Sequence, residues 1–292
     1  MQWIFVGDLL QLPAVQARTR GYIFNATQWR RLQIKVCELT TVYRQSNDAF
    51  LAVLSRVRKG LLSAEDQAWI ENNSLKQPHP LSTCLFAKND DAAMYNRQCL
   101  ARIPGQTHAF YAIDRGDPYS LNAVSAEQSV FLKERAMVTC LRNLVDQPGC
   151  KLMNGTVGYI ESIGLDPATS QRTALVTARF FSVDTSTWFN HSFRSGSLPE
   201  NQFDVTRKDK VIATRFQIPL RLAWGQSIHR AQGASLSYAH VDLRGCFEYG
   251  QAYVALSRVH EVQNLHVQGL LPRVVKASPE VLKFYSECAQ SR

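Results

Sequence analysis

The chain has 292 residues, 45% of them apolar, and a formal net charge of +9. That apolar share is enough for a sizeable core and excludes a chain that is disordered by composition. No run of 18 apolar residues occurs, so no membrane-spanning helix is expected, and the basic balance favours polyanionic partners.

The seven cysteines and the first residues bear on the cellular setting. The cysteines form no Cys-x-x-Cys pair and their number is odd, which predicts neither a zinc site nor a disulfide framework. The N-terminus has no charged leader or cleavage site, so no signal peptide is expected. These features indicate an intracellular protein, in the cytoplasm or nucleoid, or in the nucleus or a mitochondrion.

The N-terminal stretch predicts a strand that runs into a polar loop. Residues 3–6 are apolar throughout, which is typical of a buried parallel strand. The loop Gly7-Asp-Leu-Leu-Gln-Leu-Pro13 follows, at the end of a strand where α/β proteins bind ligands. Asp8 is open to two interpretations: it caps the next turn, or it is a metal-binding carboxylate that follows an apolar run.

Residues 22–100 read as alternating helices and strands. Helical or turn-rich structure is predicted over 22–31 and a strand over 34–39. An amphipathic helix is predicted over 47–59, with Asp48 in its first turn and Gly60 closing it. The further predicted elements are a helix over 67–72, a strand over 83–87 and a helix over 92–100 capped by residues 89–91.

From about residue 128 the texture changes to short strands, predicted over 130–141, 156–163, 173–181 and 187–193. The following polar loop, 195–210, ends in the basic residues Arg207, Lys208 and Lys210. This group is either a phosphate-facing patch or an ordinary solvated face.

The α/β texture returns at residue 218. A short helix that ends at Gly233 is predicted within 223–233, then a strand over 238–243 and a helix over 250–258. A last strand over 264–268 and a helix over 278–288 close the chain. Packing does not explain a polar set at the ends of these elements: His229, Gln232, Gly233, Gln251, Ser257 and Arg258.

Four stretches resemble the motifs of superfamily-one DNA helicases of the PIF and RecD-like type. Ser227-Ile-His-Arg-Ala-Gln-Gly233 and Gln251-Ala-Tyr-Val-Ala-Leu-Ser-Arg258 resemble motifs V and VI. Residues 7–13 resemble motif III, with Ala14 in place of a second proline, and Thr41-Val-Tyr-Arg-Gln45 resembles motif IV. The resemblance covers residues 3–268.

The resemblance implies an α/β fold with a RecA-like, P-loop NTPase-type parallel sheet. Residues 1–40 would be a remnant of the first RecA-like domain, and 41–127 with 218–292 the second. Residues 128–217 would be an inserted SH3-like all-β barrel. Asn154, Gly155 and Gly158 would lie at barrel turns that need a positive φ. The family has a glycine near position 135, where this chain has Arg135.

The resemblance also assigns roles in the use of ATP and Mg²⁺. Gln11, Arg44 and Arg258 would be catalytic, with Gln11 and the two arginines reaching the terminal phosphate. Arginine suits this role because its planar fork donates several hydrogen bonds at fixed geometry. The nucleotide-binding residues would be Asp8, Gln45, Gln232 and Gly233, and no metal ligand is predicted.

Single-stranded DNA is the partner that the resemblance implies. Its contacts would be Ser227, His229, Arg230, Asn154, Lys208 and Lys210, with Arg230 standing where the family has lysine. Trp224 could stack on a base, although packing is favoured. Gly225-Gln-Ser-Ile-His229 is half of a hydrolase nucleophile elbow, but it has no closing glycine.

Two further helicase motifs are not found. The chain contains no Gly-Lys dipeptide for a phosphate loop and no Asp-Glu dipeptide for magnesium. The expectation is therefore the C-terminal part of a 5′–3′ helicase that does not hydrolyse ATP alone. The alternatives are a non-catalytic module that binds single-stranded DNA, a split helicase completed by a separate N-terminal chain, and a truncated product.

Overall fold

The structure is a computed structural model that describes residues 4–14, 21–32, 34–39, 41–147, 150–167, 173–182 and 187–290. The helices are α1 (Thr27–Arg31), α2 (Asp48–Arg58), α3 (Ala64–Asn73), α4 (Asn89–Arg102), α5 (Ile228–Ala231), α6 (Gln251–Leu256) and α7 (Pro279–Gln290). The strands are β1 (Thr83–Phe86), β2 (His108–Tyr111), β3 (Ile113–Gly116), β4 (Ser129–Leu132), β5 (Met137–Cys140), β6 (Leu144–Gln147), β7 (Cys150–Leu152), β8 (Val157–Leu165), β9 (Ala174–Ser182), β10 (Thr187–Arg194), β11 (Gln202–Arg207), β12 (Lys210–Phe216), β13 (Leu220–Leu222), β14 (Gly225–Ser227), β15 (Ala239–Asp242) and β16 (Leu265–Gln268).

The chain divides into two compact units. The first contains the described residues up to Ala93 and from Gly225 onward, and the second contains Met94–Trp224. The three-part division expected from the sequence stays a prediction.

The first unit is built on a parallel sheet in the order β14-β1-β15-β16. Leu85 and Val241 on its central strands are fully buried in a core shared with Phe50 of α2 and Leu256 of α6. Helix α2 begins where the Asn47 side chain accepts a hydrogen bond from Phe50 N, and ends before Gly60 at φ +78°. The α/β architecture with a parallel sheet is confirmed.

The second unit is dominated by antiparallel strands. Its largest sheet has the order β10-β9-β8-β5-β13, and a three-stranded sheet has the order β11-β12-β3. The predicted β-rich texture is confirmed, and the SH3-like barrel stays a prediction. Trp224 packs against the apolar core of this unit, as favoured. No helix among the described residues is long and apolar enough to cross a membrane.

Three predicted elements were wrong. Residues 4–6 and 34–39 form no strand, and Ile4 and Val6 are 78% and 88% exposed. None of the described strands pairs with either segment, and a strand without a partner leaves its backbone groups unpaired. Within 223–233, Gly225–Ser227 is a parallel strand beside β1 and only Ile228–Ala231 is helical. Trp3 lies outside the described residues.

Two details of the β-rich segment also differ from prediction. Residues 130–141 form two strands, separated by a turn in which Arg135 has φ +67°. This left-handed backbone accounts for the glycine that the family has near this position. Gly155 has φ +93°, as predicted, but neither Asn154 nor Gly158 is left-handed. At Gly158 a Cβ would lie 2.4 Å from Arg179 O, so close approach excludes a side chain there.

Candidate functional site

Arg258 lies in the turn that follows α6 and is only 2% exposed. Its Nε donates to Val254 O at 2.6 Å and its Nη2 donates to the Ser257 hydroxyl at 2.7 Å. Its Nη1 donates to Ala231 O and Ala234 O, at 3.4 and 3.2 Å. The guanidinium is therefore held by neutral oxygens from α5, α6 and the turns that follow them.

The positive charge of Arg258 is not neutralised locally. Among the described residues, no carboxylate forms an ion pair or a hydrogen bond with its guanidinium. Burial and, to a smaller extent, the positive charge of Arg44 lower the pKa of Arg258 to about 10. At neutral pH the side chain is still protonated, so a buried cation lies beside a second cation.

Arg44 approaches the same turn from the segment before α2. Its Nη1 lies 3.5 Å from Ser257 O, a long hydrogen bond, and the side chain is partly exposed. Its backbone oxygen lies 2.7 Å from His260 Nδ1. The guanidinium of Arg44 can therefore reach a bound anion while its backbone is fixed.

Gln45 is 6% exposed, and its side chain is hydrogen-bonded to the backbone of this turn. Its Nε2 donates to Ser257 O at 3.3 Å and to Val259 O at 2.9 Å. Both carbonyls flank Arg258, so Gln45 fixes the backbone from which that arginine projects. In this geometry both hydrogen bonds of its amide nitrogen are made to protein backbone.

The loop 8–12 packs within the first unit, with Leu10 and Leu12 buried. The Asp8 carboxylate accepts hydrogen bonds from Arg58 of α2 and from Leu10 N. Gly250, at φ +72°, makes the close packing possible, because a Cβ there would lie 2.5 Å from Leu10 O. Asp8 therefore both caps a local turn and forms an ion pair.

Gln11 and Gln232 meet through their side-chain amides. Gln232 Nε2 donates to Gln11 Oε1 at 3.3 Å, across 221 residues of sequence. Gly233 follows with φ +86°, and a Cβ there would meet nothing within 4 Å. The backbone at Gly233 is therefore open to a ligand, although its φ disfavours a side chain.

The start of α5 separates a buried residue from two accessible ones. Ser227 is 1% exposed and its hydroxyl donates to Asn89 Oδ1 at 2.7 Å. His229 is partly exposed and Arg230 is exposed. Of these three, His229 and Arg230 are accessible to a ligand, whereas the Ser227 hydroxyl is occupied by α4.

The second unit carries the remaining predicted contacts. Lys208 and Lys210 are exposed at the turn between β11 and β12, where Lys208 and Asp209 have φ +51° and +59°. Asn154 is exposed and its backbone N donates to Asn143 Oδ1 at 2.8 Å. All three side chains are exposed to solvent, and their contacts with DNA stay predictions.

The structure thus brings several predicted residues together. Arg44, Gln45 and Arg258 converge on Ser257, and Gln11 contacts Gln232. Two partners could not be assigned from the sequence: Arg58, which pairs with Asp8, and Asn89, which accepts from Ser227. Each lies 50 or more residues from its partner, so no local pattern links them.

The described residues contain no group of three or more His, Cys, Asp and Glu side chains that could hold a metal ion. Asp8, the one carboxylate expected near the nucleotide, is instead paired with Arg58 at 2.8 Å. A magnesium site is therefore not assigned to these residues.

Comparison with known proteins gives consistent matches along the whole chain. It is 32% identical over 301 residues to the ATP-dependent DNA helicase PIF1 of Xenopus laevis, covering 100% of this chain and 45% of that protein. It therefore spans about half the length of that relative. No protein-family model matches the chain.

Solved structures agree with this result. The Pif1 helicase of Candida albicans superposes with a TM-score of 0.79 at 27% identity, covering 96% of this chain and 67% of that one. The structure of a Bacteroides Pif1 bound to single-stranded DNA gives a TM-score of 0.65 at 21% identity, covering 98% and 66%. The latter likeness concerns the fold alone.

Proposed function

Because the chain belongs to the PIF1 family of superfamily-one DNA helicases, we propose that it forms the C-terminal portion of an ATP-dependent DNA helicase. The complete motor would move 5′ to 3′ on single-stranded DNA, in replication, repair or recombination. The observation that carries the proposal is the Arg258 guanidinium, which is buried, has no carboxylate partner in the part of the chain that the structure describes, and lies beside Arg44.

This arrangement fits the terminal phosphate of ATP. Neither guanidinium has a carboxylate partner among the described residues, and two such positive charges attract an anion. Arg44 is partly exposed and can donate to phosphate oxygens in a forked geometry, while the buried Arg258 adds its positive charge. ATP, when bound, supplies a terminal phosphoanhydride whose hydrolysis drives the motor. The residues described here do not fit Mg²⁺, so no step is assigned to that ion.

Arg44 and Arg258 would stabilise the negative charge that develops on the transferred phosphoryl group. Loss of one such arginine typically costs roughly 10³ to 10⁵ in rate. Gln45 holds the backbone of the Arg258 turn. The electrostatic benefit depends on such pre-organised donors, because they need no reorientation during the reaction.

The DNA-binding side of the proposal rests on α5 and its neighbourhood. His229 and Arg230 are accessible there, and Gln232 follows directly and contacts Gln11. DNA phosphates bound at His229 and Arg230 would therefore be linked through Gln232 to Gln11, the residue expected to reach the terminal phosphate of ATP. Ser227 would support this contact by anchoring the helix start to Asn89.

A second candidate is a module that binds single-stranded DNA without hydrolysing ATP itself, alone or with a separate N-terminal helicase part. The exposed basic turn at Lys208 and Lys210 favours it. Such a turn can contact the phosphates of DNA whether or not ATP is bound.

ATP hydrolysis and DNA binding by the purified chain test both candidates. Hydrolysis is measured with and without single-stranded DNA, for the wild type and for Arg258→Ala. The chain alone is expected to show no turnover, because it contains no Gly-Lys or Asp-Glu dipeptide. DNA-stimulated turnover that Arg258→Ala removes would contradict that expectation. DNA binding together with ATP binding that Arg258→Ala weakens supports the motor portion, and DNA binding without ATP binding supports the second candidate. Binding of neither ligand contradicts both. An unwinding assay of the complete motor with 5′- and 3′-tailed duplexes tests the direction.

A further inference from the structure

Asp8 lies at the centre of a hydrogen-bond relay that joins three separate parts of the first unit. Arg58 Nε donates to Asp8 Oδ2 at 3.0 Å, and Arg58 Nη2 donates to Oδ1 at 2.8 Å. Gln11 Nε2 lies 3.4 Å from the same Oδ2. Gln232 Nε2 in turn donates to Gln11 Oε1 at 3.3 Å.

The chemistry of the relay determines which way the Gln11 amide faces. A carboxylate paired with a guanidinium only accepts hydrogen bonds, so Asp8 requires the NH₂ group of Gln11 on its side. The Gln11 oxygen then faces the Gln232 amide, which donates to it. One hydrogen of the Gln11 NH₂ group is left as a donor, because the described residues provide a partner for only one.

We propose that Arg58 is a positioning residue for Gln11: through Asp8 it fixes the Gln11 amide with its nitrogen available to the terminal phosphate of ATP. The inference rests on the proposed function for the identity of that ligand. It also gives Asp8 a positioning role in place of the nucleotide contact expected from the sequence.

The surroundings of the ion pair favour a fixed geometry over a mobile surface contact. Leu9 N donates to the Tyr285 hydroxyl at 3.1 Å, and the Arg58 guanidinium lies 5.7 Å from the centre of the Tyr285 ring. Both partners of the pair are largely buried, with side-chain exposures of 24% for Arg58 and 19% for Asp8. Burial acts to lower the pKa of Arg58, but the hydrogen bonds and charge of Asp8 raise it above the ordinary value.

The same helix offers a matched control. Arg56, two residues before Arg58, forms a forked ion pair with Asp66, and its Nε lies 2.9 Å from Asp66 Oδ2. Asp66 belongs to α3 and not to the loop 8–12. Loss of Arg56 therefore removes a comparable ion pair from α2 without touching the relay.

The test follows the side-chain amide resonances of Gln11 by NMR in the full chain, assigned with Gln11→Glu and recorded without nucleotide or DNA. Arg58→Gln is expected to move these resonances, and Arg56→Gln to leave them in place. Asp8→Asn, which has the same shape, is expected to move them as well, because a neutral amide can present either group to Gln11.

The charge exchange Asp8→Arg/Arg58→Asp separates positioning from simple structural support. It is expected to recover thermal stability lost in Arg58→Gln, but not the wild-type Gln11 resonances, because an arginine at position 8 requires the oxygen of Gln11. Unchanged resonances in both Arg58→Gln and Asp8→Asn, or equal movement in Arg56→Gln, would overturn the proposal. Recovery of the wild-type resonances in the exchange would also overturn it.

Because no ligand is present, these outcomes do not depend on the proposed function. If the chain binds no ATP but shows the expected resonance changes, the positioning of Gln11 by Arg58 stands, and only ATP as the ligand of Gln11 is rejected.

Discussion

Arg44 and Arg258 both contact Ser257, one at its backbone carbonyl and the other at its side-chain hydroxyl. Arg44 Nη1 lies 3.5 Å from the Ser257 carbonyl oxygen, and Arg258 Nη2 donates to its hydroxyl at 2.7 Å. Two positive charges are thus held by neutral groups, and burial together with the charge of Arg44 lowers the pKa of Arg258 to about 10. An anion placed between them would relieve this repulsion.

Inorganic phosphate or sulfate should therefore stabilise the fold. A ligand at ten times its Kd that binds only the folded state adds about 1.4 kcal/mol of stability. We expect a rise in Tm that saturates with anion concentration in the wild type and is lost in Arg44→Ala. Arg244→Ala, which removes an exposed arginine paired with Asp242, is the control and should keep the rise. Equal rises in all three proteins would contradict an anion site at Arg44.

Gln45→Ala should destabilise the first unit. The change removes the Gln45 donor from the buried carbonyl of Val259 and leaves the carbonyl of Ser257 with the long hydrogen bond from Arg44, which costs about 1–3 kcal/mol. Urea unfolding measures the difference. Gln67→Ala, which removes an exposed hydrogen bond to Glu71, should cost much less. A similar loss of unfolding free energy in both variants would show that the Gln45 hydrogen bonds do not stabilise the Arg258 turn.

Arg135→Gly should be more stable than Arg135→Ala. Residue 135 has φ +67° and is exposed, so the comparison isolates the backbone. A left-handed residue with a Cβ costs roughly 1–2 kcal/mol relative to glycine. Thermal unfolding of the two variants decides the point, and a more stable alanine variant would mean that the turn is not left-handed.

Stability below about pH 4 should depend on Asp66. The hydrogen bond from Arg56 lowers the pKa of this carboxyl; burial opposes the shift, and donors from Ser63 add to it. A lowered acid pKa contributes stability that is complete above the unfolded-state pKa and is lost as the pH falls through the folded-state pKa.

We therefore expect the free energy of unfolding to fall less steeply between about pH 4 and pH 2 in Asp66→Asn than in the wild type. Arg56→Gln should also flatten the curve, because it removes the largest cause of the shift. The measurement is urea unfolding at a series of pH values. Three parallel curves would refute the assignment.

The basic turn between β11 and β12 should contribute to the salt dependence of DNA binding. Each phosphate contact on a single strand contributes about 0.7 to the slope of log K against log salt. Lys208→Ala/Lys210→Ala should therefore lower the slope by roughly 1.4. Fluorescence anisotropy with a labelled oligonucleotide measures it, with Lys76→Ala/Lys283→Ala as control. An unchanged slope would remove this turn from the DNA path.

Local signals predicted much of the fold. The helix Asp48–Arg58 follows from its apolar spacing, the Asn47 cap and Gly60. The strands β1 and β15 follow from short apolar runs. Residues 34–39 alternate like a strand but form none, because a strand also needs a partner, which alternation cannot report. The sequence predicts helix at Gly225–Ser227, where the structure has a strand, because three residues are too few to show a period.

The candidate site was predictable only in part. Motif order identified Arg44, Gln11, Gln232 and Arg258, and the structure groups them through Ser257 and through the Gln11 amide. Burial of Ser227 and the pairing of Asp8 with Arg58 depend on long-range packing. The partners in these pairs are 50 or more residues apart, so local sequence patterns cannot predict that they meet.

The most direct test of the central claim, that Arg44 and Arg258 receive the terminal phosphate of ATP, is the equilibrium binding of ATP and of ADP to the purified chain. Charge-assisted hydrogen bonds of about 1.5–3 kcal/mol predict that ATP binds roughly tenfold or more tightly than ADP. The preference should disappear in Arg44→Ala and in Arg258→Ala, and remain in Arg244→Ala. Equal binding of ATP and ADP by the wild type, or a preference that survives the loss of either arginine, would contradict the account.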